Sequence, residues 1–64
     1  MKMMRLEGNK STIVYIDPAK ITYIEESADT GYCHINFGGG EFATVKGTVE
    51  ELANEIASFV EEFY

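Results

Sequence analysis

Three groups of residues in this chain have types and spacings that chemistry could use. The first lies in NFGGGEFATVKGT, where Gly38, Gly39 and Gly40 precede Lys46, Gly47 and Thr48. Glycines, a lysine and a threonine beside a helix start are the parts of a phosphate cradle. A P-loop, however, orders them Gly-Lys-Ser/Thr and joins its strand directly to its helix. Here the order is Lys-Gly-Thr, and the strand-like EFATVK separates the triple glycine from the helix start. A strand of that length holds the two parts at opposite ends, so one chain cannot close them on one phosphate. The triple glycine therefore reads as a hairpin turn, where positive φ is wanted. A ligand site made from these parts forms only between subunits. Lys46, Gly47 and Thr48 of one copy would then meet Tyr32, His34 or the Gly38, Gly39, Gly40 loop of another.

The second group is Cys33-His34. Adjacent residues on a strand point to opposite faces, so this pair makes neither a nucleophile–base couple nor one metal site within a chain. Cys33 shares its face with Ile35 and Phe37 and reads as a small core residue. His34 lies on the other face with Tyr32 and Asn36 and is a candidate for an interface. The third group is the acids and tyrosines. Glu25-Glu26 and Glu61-Glu62 are sequence neighbours, an arrangement poorly suited to acid–base work. No serine stands in a G-x-S-x-G context. Tyr15, Tyr23 and Tyr32 could stack on a ring. No catalytic residue, metal ligand or cofactor is assigned, and the chain is read as a non-enzyme.

The totals narrow the classes further. The chain has 64 residues, 45% hydrophobic and 25% charged, and reads as one small globular domain. A chain this short has a marginal core unless a disulfide, a metal or a partner chain supports it. With one cysteine and one histidine it has neither an internal disulfide nor a four-ligand zinc site. Self-association is the remaining support, so a homo-oligomer is expected. The net charge of −6 argues against binding nucleic acid, which needs basic surface. No apolar run approaches the roughly 18 residues of a membrane span. A free cysteine and the absence of an apolar leader in MKMMRLEGNK point to a cytoplasmic setting, in the producing cell or in a host cell.

The elements that must position these residues run strand, strand, strand, strand, strand, helix. The strands are MMRL (3–6), STIVYI (11–16), ITYIEE (21–26), YCHINF (32–37) and EFATVK (41–46). EGNK and SADTG are turns, with Gly8 and Asn9 suited to positive φ. Asp17-Pro18 breaks the chain after the second strand. Thr48 and Glu51 form a T-x-x-E capping box for the helix. Behind it Val49, Leu52, Ala53, Ile56, Phe59, Val60 and Phe63 make an apolar stripe, with Phe63 and Tyr64 on the last turn. The expected fold is α+β: a twisted antiparallel sheet of four or five strands with one C-terminal amphipathic helix across a face. The sheet's second face still carries large groups. Either Val14 and Ile16 or Ile13 and Tyr15 lie there, with members of Tyr23, Tyr32 and Phe42, as at an interface.

PAKITYIEE, then ADT, then the Gly-Glu-Phe after a hydrophobic strand, then VKGTVEEL together resemble the FlbD (SwrD-like) family of small flagellum-associated bacterial proteins. The resemblance covers mainly residues 18–53. The chain departs from the family pattern in its longer first hairpin, in Gly38-Gly39-Gly40 where an Asn-Gly turn is usual, and in Gly47 where an acid is usual. The resemblance implies a non-enzymatic accessory protein and carries over no catalytic residue. The expected function is thus a non-catalytic interaction module, a homo-oligomer that binds a protein partner. The alternative is an oligomeric ligand-binding or nucleotide-sequestering protein, of bacterial or phage origin, with small anions bound between subunits.

Overall fold

The structure is a computed structural model and describes residues 2–63. Tyr64, expected on the last helical turn, lies outside the described residues. The order of elements is β1 (Met4–Glu7), β2 (Ile13–Ile16), β3 (Tyr23–Glu26), β4 (Tyr32–Gly38), β5 (Glu41–Lys46) and α1 (Val49–Phe63). The class is α+β. The strands do not form one sheet, however. β1 and β2 make a two-stranded hairpin, and β3, β4 and β5 make a three-stranded antiparallel sheet in that order.

This corrects the expectation of a single sheet of four or five strands, and the physical reason lies at Gly8. The two sheets touch through one antiparallel bridge, Gly8 to Val45. A Cβ at Gly8 would sit 2.5 Å from Thr12 Oγ1 in the same hairpin loop and 3.4 Å from the Thr44 carbonyl oxygen, so a larger residue would displace the Thr12 hydroxyl at the point where the hairpin meets β5. Beyond that point the hairpin leaves the sheet. Its inward residues, Met4, Leu6 and Ile16, join Cys33, Ile35 and Val45 in the buried core. Val14, Ile24 and Phe37 pack against the same cluster. A small chain has little apolar surface, and turning the hairpin over the sheet buries more of it than extending the sheet edge would.

The hairpin loop also differs from expectation. Gly8 has φ −89, and the positive φ values fall on Lys10 (54) and Ser11 (62). The loop is closed by Gly8 N–H donating to the Thr12 carbonyl at 2.7 Å, and by the Thr12 amide and hydroxyl donating to the Asn9 carbonyl at 3.1 and 2.7 Å. Ser11, expected in the second strand, ends this short 3₁₀ turn. After β2, Asp17 adopts φ −98 and ψ 106, and its carboxylate accepts from the Ala19 amide at 3.0 Å. Pro18 follows at the first position of a second 3₁₀ turn, where its missing N–H costs nothing.

The helix begins as its sequence predicts. The Thr48 N–H donates to Glu51 Oε1 at 3.0 Å, and the Glu51 N–H donates to Thr48 Oγ1 at 3.1 Å. Two amides without helical partners are thereby satisfied reciprocally. Leu52 is the buried residue of the helix, 1% exposed, with Val49, Ile56 and Phe59 half-buried beside it. Ala53, Val60 and Phe63, expected on the apolar stripe, are exposed. Phe63 instead rests on Phe59, ring centres 4.8 Å apart, under the Lys2 ammonium at 5.6 Å.

Candidate interaction face

The alternation of β4 divides the three-stranded sheet into two chemistries. Cys33 and Ile35 point inward and are fully buried. Tyr32, His34 and Asn36 point outward. Register then sets their neighbours. Asn36 lies between Tyr23 of β3 and Phe42 of β5, His34 lies between Glu25 and Thr44, and Tyr32 pairs with Lys46. The outer face is thus a grid of aromatic, amide, imidazole and charged groups; the hairpin borders it at Tyr32 and Lys46, and the depression of Glu25, His34, Asn36 and Phe42 is lined by neither hairpin nor helix.

His34 is held in place on this face. Its Nδ1 is 3.1 Å from Thr44 Oγ1, and its ring meets Phe42 edge-on with centres 4.9 Å apart. Phe42 itself is 57% exposed and Tyr23 56%. Glu25, His34, Asn36 and Phe42 line a depression of ≈ 220 Å³. On the hairpin the outward pair is Ile13 and Tyr15, and Val14 and Ile16 face inward. Large apolar groups left on a small domain in this way are typical of interaction surfaces.

The candidate ligand residues separate into three places. Gly38 ends β4 with φ 90 and pairs with Glu41, and Gly39 and Gly40, with φ of 62 and 82, form the turn between β4 and β5. Gly47 and Thr48 lie at the other end of β5, as the strand between them requires. Gly47 has φ 127; its N–H donates to the Gly31 carbonyl at 2.8 Å, and its own carbonyl accepts from the Cys33 thiol at 3.0 Å. The Thr48 amide and hydroxyl are engaged with Glu51. His34 sits mid-face. At that other end of β5 the fold brings Tyr32 to Lys46, Gly47 and Thr48. With Lys46 it lines a cleft of ≈ 230 Å³ beside Glu7, Gly8, Ser11, Thr12 and Ile13 of the hairpin, and with Gly47 and Thr48 a depression of ≈ 390 Å³ beside the turn before β4. Those hairpin residues were not legible as site neighbours, because they are brought there by the Gly8 bridge and by core packing between parts distant in the chain.

The helix start is surrounded by acidic groups. Burial pushes the Cys33 thiol above its ordinary value, and the negative charges of Glu26 and Glu51 push it further in the same direction. Glu50 and Glu51 stand in the first helical turn, where their charge complements the positive end of the helix.

The described residues contain no group of three or more acids, cysteines or histidines arranged to hold a metal. No helix among them is long and apolar enough to cross a membrane. The fold and this face define a small α+β protein with an aromatic outer sheet surface. Comparison with known proteins finds no matching family model, no matching curated protein and no matching solved structure.

Proposed function

We propose that the protein is a non-catalytic interaction module: a cytoplasmic homo-oligomer that binds a protein partner through the outer face of β3, β4 and β5. The observation that carries this reading is the exposure of Tyr23 and Phe42 around a fixed His34. Aromatic anchors with a polar rim favour protein partners over small ligands. The net charge of −6 favours a basic partner. The resemblance to the FlbD family supports the same accessory role, and we propose membership of that family on the motifs between residues 18 and 53.

Native mass spectrometry followed by partner capture tests the reading. The expected result is a homo-oligomer without small-molecule adduct. A photo-crosslinker placed at Phe42 should then mark one defined partner from the producing cell. The double variant Tyr23→Ser, Phe42→Ser should stay folded and lose that partner. A monomer at all concentrations, or undiminished partner binding by the double variant, refutes it.

A second reading rests on the cleft joining Tyr32 and Lys46 to the hairpin loop. It is that of an oligomeric protein that sequesters a small anion or nucleotide. Under this reading the purified protein carries a recurring excess mass that Lys46→Ala abolishes without loss of assembly. An adduct-free wild-type spectrum removes it.

A further inference from the structure

The described strands present four edges, and they are not equally protected. β1 carries Arg5 and Glu7 and runs into Gly8, which bridges to β5. β3 pairs only with β4, and two of its four residues are Glu25 and Glu26. Charges of one sign on an edge deter pairing with another copy. β5 meets Gly8 at Val45 on its free side and carries Glu41 and Lys46 at its ends. Among the described residues β2 pairs only with β1, and its sequence, Ile-Val-Tyr-Ile, has no charge at all. Ile13 is 44% exposed and Tyr15 60%.

Hydrogen-bond alternation shows which backbone groups of β2 face outward. Gly8 N–H donates to the Thr12 carbonyl, which makes Gly8 and Thr12 a bonded pair. Bonded and non-bonded pairs alternate along an antiparallel ladder. Leu6 with Val14 and Met4 with Ile16 are therefore bonded pairs too, in the observed register. The amides and carbonyls of Ile13 and Tyr15 then point away from β1, and no strand among the described residues meets them. Beside this edge runs a groove of ≈ 340 Å³, in which Val14, Ile16, Phe37 and Ala43 are flanked by Asp17, Lys20 and Glu41. It leaves open space along β2, apolar in part and with charges of both signs at its rim.

We propose that the occupant of this edge is β2 of a second copy, antiparallel, with the two Val14 residues facing each other across a two-fold axis. This rests on the homo-oligomer reading above and names its interface. The sequence of β2 suits itself. In this register Ile13 lies opposite Tyr15 of the second copy, and the outward groups of both strands bond to each other. An isologous contact repeats the pair, so both Ile13–Tyr15 contacts form. Aromatic and β-branched residues are favourable cross-strand partners. Registers centred on Ile13 or on Tyr15 also match the outward groups, but they set Tyr15 against Ser11 or Ile13 against Asp17. The β1 neighbours fit as well. Glu7 flanks Ile13 and Arg5 flanks Tyr15, so each cross-sheet row runs Glu7, Ile13, Tyr15, Arg5 and joins no like charges.

The test is the dimer equilibrium by analytical ultracentrifugation of the full chain. Ile13→Lys puts an ammonium opposite Tyr15 and beside Arg5 of the second copy. It should weaken the dimer by about ten-fold, since each mismatched pair occurs twice. Tyr15→Glu alone should weaken it similarly. The double variant Ile13→Lys, Tyr15→Glu should restore it, because in this register the new charges face each other. Both side chains are exposed in one copy, so circular dichroism and thermal melts should show all three variants folded. A dimer that survives Ile13→Lys but dissociates with Phe42→Lys overturns the β2 interface and leaves the homo-oligomer reading standing. Failure of the double variant to recover overturns the register and with it the proposal. A wild-type monomer at every concentration overturns both readings.

Discussion

The two faces of the three-stranded sheet come from alternate residues of the same strands, yet they do different work. The inner face is apolar and closed: Cys33, Ile35 and Val45 have no exposed surface, and both the hairpin and the helix cover them. The outer face carries the larger side chains of Tyr23 and Phe42, and both remain more than half exposed among the described residues. The difference is not one of hydrophobicity alone. The inner residues are aliphatic or small and interdigitate, whereas the outer ones keep a polar edge or neighbour, as Phe42 does with His34. One face stores the stability of the fold; the other leaves aromatic surface exposed.

Substitutions that breach the inner face should cost most. Leu52→Ala removes the side chain that ties the helix to the sheet and should destabilise by about 2–5 kcal/mol, measured by urea unfolding. Ile56→Ala, on the same stripe but only half-buried, should cost clearly less. Equal costs would mean that the helix is not anchored at Leu52. Next comes the entry to that helix. Thr48→Ala removes one half of the capping box and should cost about 0.5–2 kcal/mol, while Thr48→Ser should retain most of it.

A smaller effect follows from the Cys33 thiol, which burial and then Glu26 and Glu51 hold above its ordinary value of 9.0. Below pH 9.0 the thiol is neutral in both the folded and the unfolded chain, and its contribution is fully present. As the pH rises past that value the unfolded chain loses the proton first, so stability falls toward the higher folded value. Unfolding of wild type and Cys33→Ala across alkaline pH should therefore show a steeper loss for wild type. Parallel curves would place the thiol in water. The smallest effect on stability belongs to the outer face. There Tyr23→Ser with Phe42→Ser should leave the melt nearly unchanged and abolish partner binding, the reverse of the inner-face variants.

Much of this was legible locally. Cys33, His34 and Ile35 alternate cleanly between apolar and polar, so their sides of β4 follow from the pleat. Thr48 and Glu51 are a local signal, and both of their hydrogen bonds form. The triple glycine is a turn because EFATVK is too long to bring it back to Lys46. The hairpin was less legible. Its positive φ values sit on Lys10 and Ser11, where side-chain and carbonyl bonds around Thr12 close the loop, and not on Gly8 or Asn9. The cleft shared by Tyr32, Lys46 and the hairpin was not legible at all, since its members are far apart in the chain.

By itself, then, the sequence determined what depends on neighbours within a few residues: the strand-rich order, the capped helix, the glycine turn and the inward course of Cys33. Tertiary structure alone decided the rest. STIVYI is apolar on both sides, so period-two alternation cannot say which side turns inward. Packing against Cys33, Ile35 and Val45 resolved it by burying Ile16 with Val14 beside it, which left Ile13 and Tyr15 outside. The same long-range contact lifted the hairpin out of the sheet. Burial is a property of the whole assembly, and no local signal in β1 or β2 encodes where the other half of the core will be.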